Sequence, residues 1–321
     1  MRDTLIGAVT EPKEHSMLVN VIIRLVKEKP LGVLGAVIVL ALLFVGIFAN
    51  VLAPHGINEL SLSHRLLPPS REFILGTDDL GRDLLSRIIY GARISMIIGL
   101  CASALAVSIG IVLGVLSGFF GGKFDLVVQR FVDAWMSLPW LFVVLSIMVL
   151  LSGGMVQVII VLGVHRGVTS SRVIRSAVMG IKENTYVLAA KAIGCRVRKI
   201  LIRHILPNIM APIIIIFTLS MGQVILSEAT LSFLGFGVPP PAPSWGNMLS
   251  GDASKYMYRA PWLAIWPGLA LSVVIFGINM LGDALRDILD PRLKGGLGSY
   301  GGARLKRFMK IKSRLDNGRR K

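Results

Sequence analysis

The chain is poor in cysteine and in acidic residues. It has two cysteines among 321 residues, Cys101 in an apolar stretch and Cys195 in a basic one, so no disulfide framework is expected. Asp and Glu number 18 against 35 Lys and Arg, which gives a formal net charge of +17. Because 54% of the residues are hydrophobic and the mean hydropathy is +0.70, this charge does not indicate a nucleic-acid-binding domain. The combination is typical of an integral membrane protein.

Sequence motifs of self-contained catalysis are also missing. The chain has no G-x-x-x-x-G-K-[ST] stretch to hold the phosphates of ATP, and H-E-x-x-H, G-x-S-x-G and C-x-x-C are absent. The five histidines have no metal-ligand spacing. We therefore expect no catalytic residues, no metal site, no directly bound cofactor and no enzymatic activity of the chain itself.

Long apolar runs dominate the sequence. A transmembrane helix needs roughly 20 apolar residues to cross about 30 Å of hydrocarbon. Six runs fit, although the fourth is weaker because His165 and Arg166 lie in it. The predicted spans are residues 31–53, 94–120, 127–151, 155–171, 209–234 and 262–285. We predict an all-α integral membrane protein with six transmembrane helices.

These spans divide the chain into three parts. Residues 1–30 form an N-terminal segment, residues 31–290 the transmembrane domain, and residues 291–321 a basic tail. Most cations outside the spans lie in the N-terminal segment, in the loop 172–208 and in the tail, so the positive-inside rule places all three in the cytoplasm. Charge alone also permits only five crossings, if residues 155–171 do not span, and in that case the N-terminal segment lies on the other side of the membrane from the loop and the tail. The tail is expected to be solvated. For the chain as a whole we expect the lipid bilayer as a partner and no nucleic acid.

Two spans contain signals of helix packing or bending. Glycines recur every fourth residue at Gly110, Gly114, Gly118 and Gly122, which predicts close packing of one helix face on another. Pro139 removes a backbone donor in the third span, which predicts a kink there.

Two segments between spans have structure-forming patterns. Thr77 or Asp78 can cap a helix whose apolar face includes Leu84 and Ile88, which predicts an interfacial helix lying on the outer membrane surface. Prolines at 239–241 and 243 exclude a continuous helix from the last outer loop. That loop is either a docking surface for an external partner or a rigid connector with tryptophans at the membrane interface.

Two spans carry polar side chains. Glu228 lies well inside the fifth run and Asn279 lies in the sixth. Ionisable and polar groups in a membrane usually face a partner or a cavity. Both residues are candidates for a substrate path, and the alternative is a hydrogen-bonded packing role.

The stretch "VLAAKAIGCRVRKILIRHILPN" interrupts the apolar runs with a cluster of cations. Its pattern predicts a short helix over about 181–192, a break at Gly194, and a second helix that ends before Pro207 opens the fifth span. Such a unit presents a rigid protrusion to the cytoplasm. A simple basic loop on the membrane surface explains the same residues equally well.

The spacing of this stretch resembles a known signature. "AAKAIG", nine residues and then "HILP" is similar to the EAA signature of ABC importer permeases. Leu188 stands where that signature has Glu, and His204 where it often has Ile. The resemblance implies a coupling loop that docks on an ATPase, with these residues in it: Leu188, Ala189, Ala190, Gly194, His204, Leu206 and Pro207.

Three further stretches extend the likeness over residues 30–293. They are "LGTDDLGRDLLSRIIYGARISMIIG", "LSFLGFGVPPPAPSWGNML" and "NMLGDALRDILDPR". Together they resemble the DppC/OppC type of permease in the dipeptide/oligopeptide/nickel importer family, which implies the type I ABC importer permease architecture.

The resemblance implies partners as well as a fold. They are a homologous second permease of the DppB/OppB type, two cytoplasmic ATPase subunits that bind ATP and Mg, and an external solute-binding protein. The implied location is the plasma membrane of a prokaryote, and the implied substrates are dipeptides or oligopeptides, with nickel chelates or oligosaccharides as alternatives. A self-sufficient channel or secondary transporter is a hypothesis of another class, but we find no inverted repeat with paired broken helices.

Overall fold

Residues 17–289 are described by a computed structural model, and within them the chain is helical, without a β-strand. The basic tail and residues 1–16 lie outside the described part. The helices are α1 (Met17–Glu28), α2 (Pro30–Ile47), α3 (Ala49–Leu52), α4 (Leu84–Phe120), α5 (Gly122–Ser137), α6 (Trp140–Leu151), α7 (Met155–Lys182), α8 (Thr185–Ala192), α9 (Val197–Ile200), α10 (Met210–Phe233), α11 (Trp245–Leu249), α12 (Gly251–Tyr256) and α13 (Trp262–Leu289).

Four of the described helices are long and apolar enough to cross a membrane. They are α2, α4, α13 and the continuous helix Val197–Phe233, which contains α9 and α10. The pair α5 and α6 makes a fifth if it is a single span bent by 88°. Each of the six predicted apolar runs coincides with a helix or a helix pair. Length and composition identify up to five crossings, and α7 is the helix that this criterion leaves out.

The bent pair extends from one end of the bundle to the other. Near the start of α5, Arg175 Nε donates to Asp125 Oδ1 at 2.6 Å, close to the C-terminus of α7. Just after α6, the Gly154 N–H donates to the Gly237 carbonyl at 3.3 Å, where α7 begins. Opposite ends of α7 therefore hold opposite ends of the pair. We call these the α8 end, which includes Lys182 and α8, and the loop end, which includes Gly154 and Gly237.

Helices α4 and α7 pack closely along their length through glycines. A Cβ added at Gly114 would lie 2.6 Å from the Ser171 carbonyl oxygen, and one at Gly110 would lie 2.8 Å from Ser170 Oγ. Gly118 is similarly close to Arg175 and Val178. The predicted packing stripe is confirmed at these three positions. It was wrong for Gly122, which begins α5 after the turn at Gly121.

Helices α2 and α13 make a second close pair. A Cβ at Gly35 would lie 2.5 Å from the Gly277 carbonyl oxygen, so the two backbones almost touch. At the α8 end, Lys29 Nζ donates to Asp287 Oδ2 at 2.5 Å. The first long helix of the chain is thus packed against the last.

The predicted interfacial helix is wrong, because its residues are the first turns of α4. Asp83 caps α4 by accepting a hydrogen bond from the Ser86 N–H at 2.8 Å, and neither Thr77 nor Asp78 serves as the cap. The apolar face at Leu84 is covered by protein, through Ala253, Ala260 and Leu263. A face covered in this way needs no membrane interface.

The proline-rich loop between α10 and α13 is tightly packed. Trp245 is 2% exposed, and its Nε1–H donates to the Ile88 carbonyl at 3.1 Å. Trp262 Nε1–H donates to the Thr77 carbonyl at 3.2 Å. The prolines do exclude a continuous helix, but Trp245 is an internal anchor that holds the loop to α4.

Candidate functional site

The basic loop 172–208 is largely helical. Helix α7 continues to Lys182, eleven residues past the predicted end of the fourth span at residue 171, and α8 follows at Thr185. Helix α8 begins four residues later than predicted and ends, as expected, at the Gly194 turn. We call residues 184–209 the α8 segment.

The turn at Gly194 is closed by two backbone hydrogen bonds. The Gly194 N–H donates to the Lys191 carbonyl, and the Cys195 N–H donates to the Ala190 carbonyl, both at 3.0 Å. This is the Schellman arrangement, which requires a left-handed residue, and Gly194 has φ +76°. Glycine adopts that conformation without the strain that a Cβ would bring. The turn is therefore a rigid end to α8.

Helix α8 has one buried and one exposed face. Val187 is 0% exposed and Ala190 is 6% exposed, whereas Leu188 is 47% and Ile193 is 79% exposed. Tyr186 and Ala189 are exposed as well. Large apolar side chains on the outside of a rigid element are typical of an interaction surface.

The buried face of α8 belongs to one apolar core with three long helices. Val187 and Ala190 pack with residues of α4, α7 and the helix Val197–Phe233. The buried members from those helices are Val107, Val115, Phe119, Ile174, Val178, Ile200, Ile205, Ile209 and Ile213. A displacement of α8 is consequently felt by all three helices, because close-packed interiors transmit strain.

Two lysines contact the C-terminal end of α4, one through a hydrogen bond and one through an aromatic ring. Lys182 Nζ donates to the Gly118 carbonyl at 3.0 Å, and Lys191 Nζ lies 5.0 Å from the centroid of the Phe119 ring. A cation at a helix C-terminus is favoured by the helix dipole. Lys191 thus links α8 directly to the end of α4.

The α8 segment is basic throughout. Residues 184–209 contain five Lys and Arg and no Asp or Glu. The five cations are exposed. They are Lys191, Arg196, Arg198, Lys199 and Arg203. A partner that covers this surface would need apolar side chains with acidic residues around them.

The second helix of the segment does not stop at Pro207. It passes through a π-helical turn at Leu201–Ile205 and a 3-10 turn at Leu206–Ile209, then continues as α10. Pro207 has no N–H to donate, and the irregular turns accommodate this without a break. The His204 ring lies 6.3 Å from the Tyr186 ring, so the irregular turns touch α8.

The seven residues expected in the coupling loop are thus gathered at one end of the bundle. Leu188, Ala189, Ala190 and Gly194 lie on α8 and its turn, and the other three lie in the irregular turns that lead into α10. Pro207 is exposed, while His204 and Leu206 are half-buried.

The two polar span residues lie away from α8. The Glu228 side chain is 0% exposed and accepts a hydrogen bond from Ser232 Oγ at 2.6 Å. Ser232 Oγ accepts in turn from the Val238 N–H at 3.3 Å, so Glu228 helps to hold the loop that follows α10. Asn279 is half-buried, and its Oδ1 would lie 3.1 Å from a Cβ at Gly222 of α10.

Sequence reasoning did not identify the cluster at the break between α5 and α6. Trp135 Nε1–H donates to His165 Nδ1 at 3.2 Å, and the Trp140 ring lies 6.4 Å from the same imidazole. The sequence did contain a signal for this cluster, because the titratable His165 and the cationic Arg166 lie together inside an apolar run.

Family models match most of the chain. The model described as binding-protein-dependent transport system inner membrane component matches residues 110–295, and the N-terminal TM domain of oligopeptide transport permease C matches residues 16–69. The chain belongs to this permease family. The predicted resemblance to the DppC/OppC type of ABC importer permease is therefore confirmed.

Individual relatives agree with the family models. The permease is 38% identical to the dipeptide transport system permease protein DppC of Alkalihalophilus pseudofirmus, over 84% of this chain and 88% of that protein. It is 37% identical to the oligopeptide transport system permease protein OppC of Bacillus subtilis, over the same shares of the two chains.

A solved structure confirms the fold class. A chain of the inward-facing MetNI methionine ABC transporter matches with a TM-score of 0.52, covering 64% of the permease and 96% of that chain. At 17% sequence identity this likeness concerns the fold alone. The permease is an all-α integral membrane protein with the type I ABC importer architecture.

Proposed function

We propose that this permease is the membrane subunit of an ATP-driven importer for dipeptides or oligopeptides. It would cross the prokaryotic plasma membrane six times with both termini in the cytoplasm, and form half of the path with a homologous second permease. Two cytoplasmic ATPase subunits would bind ATP and Mg, and an external solute-binding protein would deliver substrate. The relatives named for dipeptides and oligopeptides favour this substrate class over nickel chelates or oligosaccharides.

The observation that carries the proposal is the two-faced α8. Its outer face offers Leu188 and Ile193 to a partner, while its inner face shares one core with α4, α7 and α10. An ATPase bound to the exposed face of α8 can therefore move three long helices together. Closure of the ATPase pair would bias the bundle between two packed arrangements, one open inward and one open outward.

Docking would rest on apolar contact and on positive charge. Leu188 stands where a glutamate is expected, and the α8 segment has no carboxylate at all. An ion pair from that position is therefore excluded, and the groove on the ATPase would need an apolar floor opposite Leu188. Its rim would carry acidic residues toward Arg196, Arg198 and Lys199.

The two candidate path residues differ in position. Asn279 is half-buried and remains the stronger candidate for contact with substrate. Glu228 has no exposed surface on this chain, which favours its packing role in the loop anchor.

The test of docking is Leu188→Asp in the complete transporter. We expect the variant to lose at least ten-fold in ATPase co-purification and in uptake, because a carboxylate would be buried against an apolar groove. Its thermal unfolding should match that of the wild type, since Leu188 is 47% exposed and surface substitutions change stability by about 0.5 kcal/mol or less.

The matched control is Leu62→Asp, which changes an exposed leucine (72%) at the loop end. It should leave ATPase association unchanged. Normal ATPase association and uptake in Leu188→Asp would contradict the docking role of α8.

A further inference from the structure

The break between α5 and α6 places aromatic rings against α7. The Trp135 ring lies 6.2 Å and the Trp140 ring 6.4 Å from the His165 imidazole. Trp135 donates its N–H to His165 Nδ1, so this nitrogen carries no proton. The positive charge at this level of α7 comes from the next residue, Arg166.

Arg166 lies midway along the membrane-crossing part of the bundle. It is eleven residues after the start of α7 at Met155, which is about 16 Å at 1.5 Å per residue. Its neighbours along α7 pack on the middle of the span α4, since a Cβ at Gly163 would lie 2.7 Å from Leu105 and one at Gly167 the same distance from Ile109. An arginine at this depth is costly unless it meets water or an anion.

No acceptor for Arg166 is supplied by residues 17–289. Arg166 has no hydrogen bond or ion pair with them, although other arginines of α7 do. Arg172 is paired with Asp133, and Arg175 with Asp125. The two carboxylates of α5 are thus already engaged with cations nearer the α8 end.

The face of α7 that carries Arg166 is only partly covered by α4. Ser170, one turn further along, is half-buried and its hydroxyl lies beside Gly110 of α4. Val173, two turns further along, is 54% exposed. Trp140, across from His165, is 39% exposed. The guanidinium group is therefore placed to receive a ligand from outside the chain.

We propose that Arg166 forms a carboxylate-binding site in the translocation path. It binds the C-terminal carboxylate of the peptide, and the exposed Trp140 packs against the adjacent part of the peptide. This inference rests on the proposed import of peptides. A guanidinium group can hold a carboxylate through two parallel hydrogen bonds, and one carboxylate balances the single charge.

The test compares a peptide acid with its amide. Trialanine and trialanine amide are offered to the complete transporter in proteoliposomes, with the same binding protein throughout. We expect Arg166→Gln to lower trialanine uptake at least ten-fold and the acid-to-amide uptake ratio at least five-fold. Arg166→Lys should keep most of the ratio. Any preference of the binding protein for the acid or the amide affects all permease variants equally. It therefore cancels when the acid-to-amide uptake ratio of a variant is divided by that of the wild type.

The matched control is Lys123→Gln, which removes an exposed cation from the start of α5. Its uptake ratio should equal that of the wild type. An unchanged ratio in Arg166→Gln overturns the proposal. Loss of assembly in Arg166→Gln with recovery in Arg166→Lys also overturns it, because the carboxylate would then belong to the second permease.

A second measurement does not depend on the substrate. Arg166→Cys, with Cys101→Ser and Cys195→Ser as background, is treated with a water-soluble, negatively charged methanethiosulfonate reagent. Reaction of the cysteine at residue 166 supports a water-filled path beside this residue. Absence of reaction overturns the proposal that Arg166 lies in the path. Failure of the wild type to import either trialanine form would contradict peptide import, whereas reaction at residue 166 would still support the path.

Discussion

At Glu228, a single carboxyl group joins a transmembrane helix to the loop beyond it. Ser232 hydrogen-bonds to its Oε1 and also accepts from the Val238 backbone. These contacts lie in a fully buried environment. The polar residue that the sequence marked as unusual is therefore part of the internal hydrogen bonding of α10 and its loop.

The residue-scale prediction concerns Glu228→Leu and Glu228→Gln. Glu228→Leu should lower the free energy of unfolding by about 1–3 kcal/mol, because the Ser232 hydroxyl loses its acceptor inside the protein. Glu228→Gln keeps an acceptor oxygen and should be milder. Thermal unfolding of the purified permease in detergent measures both effects.

Ser227→Ala is the control for this pair, since its hydroxyl bonds only to the Gln223 carbonyl of its own helix. It should unfold like the wild type. Loss of uptake in Glu228→Gln with normal assembly and stability would show instead that Glu228 contacts the substrate.

The positions of single residues were predicted best where one backbone conformation or one charge determines the local structure. The Gly194 turn was predictable because glycine is favoured at a left-handed helix end. The distinction between Val187 and Leu188 was not, because both are apolar and only the packing against α4, α7 and α10 assigns one to the core. The open position of Arg166 likewise depends on how α5 and α6 are arranged around α7.

Among the described helices, α4 and α7 pack closely along their length on glycines from both helices. Gly114 faces the Ser171 carbonyl, whereas Gly180 of α7 has no atom within 4 Å of the place where a Cβ would be. The two glycines therefore make a matched pair for a test of helix packing.

Gly114→Ala should lower the free energy of unfolding by about 1–3 kcal/mol, because the methyl group pushes the helices apart. Gly180→Ala should be neutral or stabilising by up to about 1 kcal/mol, because alanine favours a helix more than glycine does. Thermal unfolding in detergent measures both. Equal effects of the two variants would contradict the close approach of α4 and α7.

Hydropathy predicted where helices lie better than where they end. Helix α4 begins ten residues before the predicted span at residue 94, because Leu84 is covered by the loop between α10 and α13 and by the start of α13, not by lipid. Helix α7 extends beyond residue 171 through polar turns that pack on α4. Pro139 indicated the break in the third span, but its 88° angle depends on the packing of α6 against α7.

For the whole molecule, the orientation in the membrane is the property to measure. Tyr258 at the loop end and Ile193 at the α8 end are both strongly exposed. In a Cys101→Ser, Cys195→Ser background, Tyr258→Cys should react with an impermeant thiol reagent added to intact cells. Ile193→Cys should react only after the membrane is permeabilised, because the positive-inside rule places the basic α8 segment in the cytoplasm.

Reaction of both cysteines only after permeabilisation, or the reverse pattern, would contradict this orientation. Because both positions are strongly exposed on the chain, a difference in labelling reports the side of the membrane. The same labelling at Ser152→Cys, an exposed position just before α7 at the loop end, tests the crossing by α7 that length and composition do not identify.

The contact between α2 and α13 joins the first and the last long helix of the described residues, so it forms only after most of the chain has been synthesised. The glycine face of α2 enters the membrane first, but its partner α13 begins more than 200 residues later in the chain. At translation rates of about 5–20 residues per second, that face waits roughly 10–50 s for α13. A chain cut short before α13 would leave the glycine face of α2 without the helix that covers it.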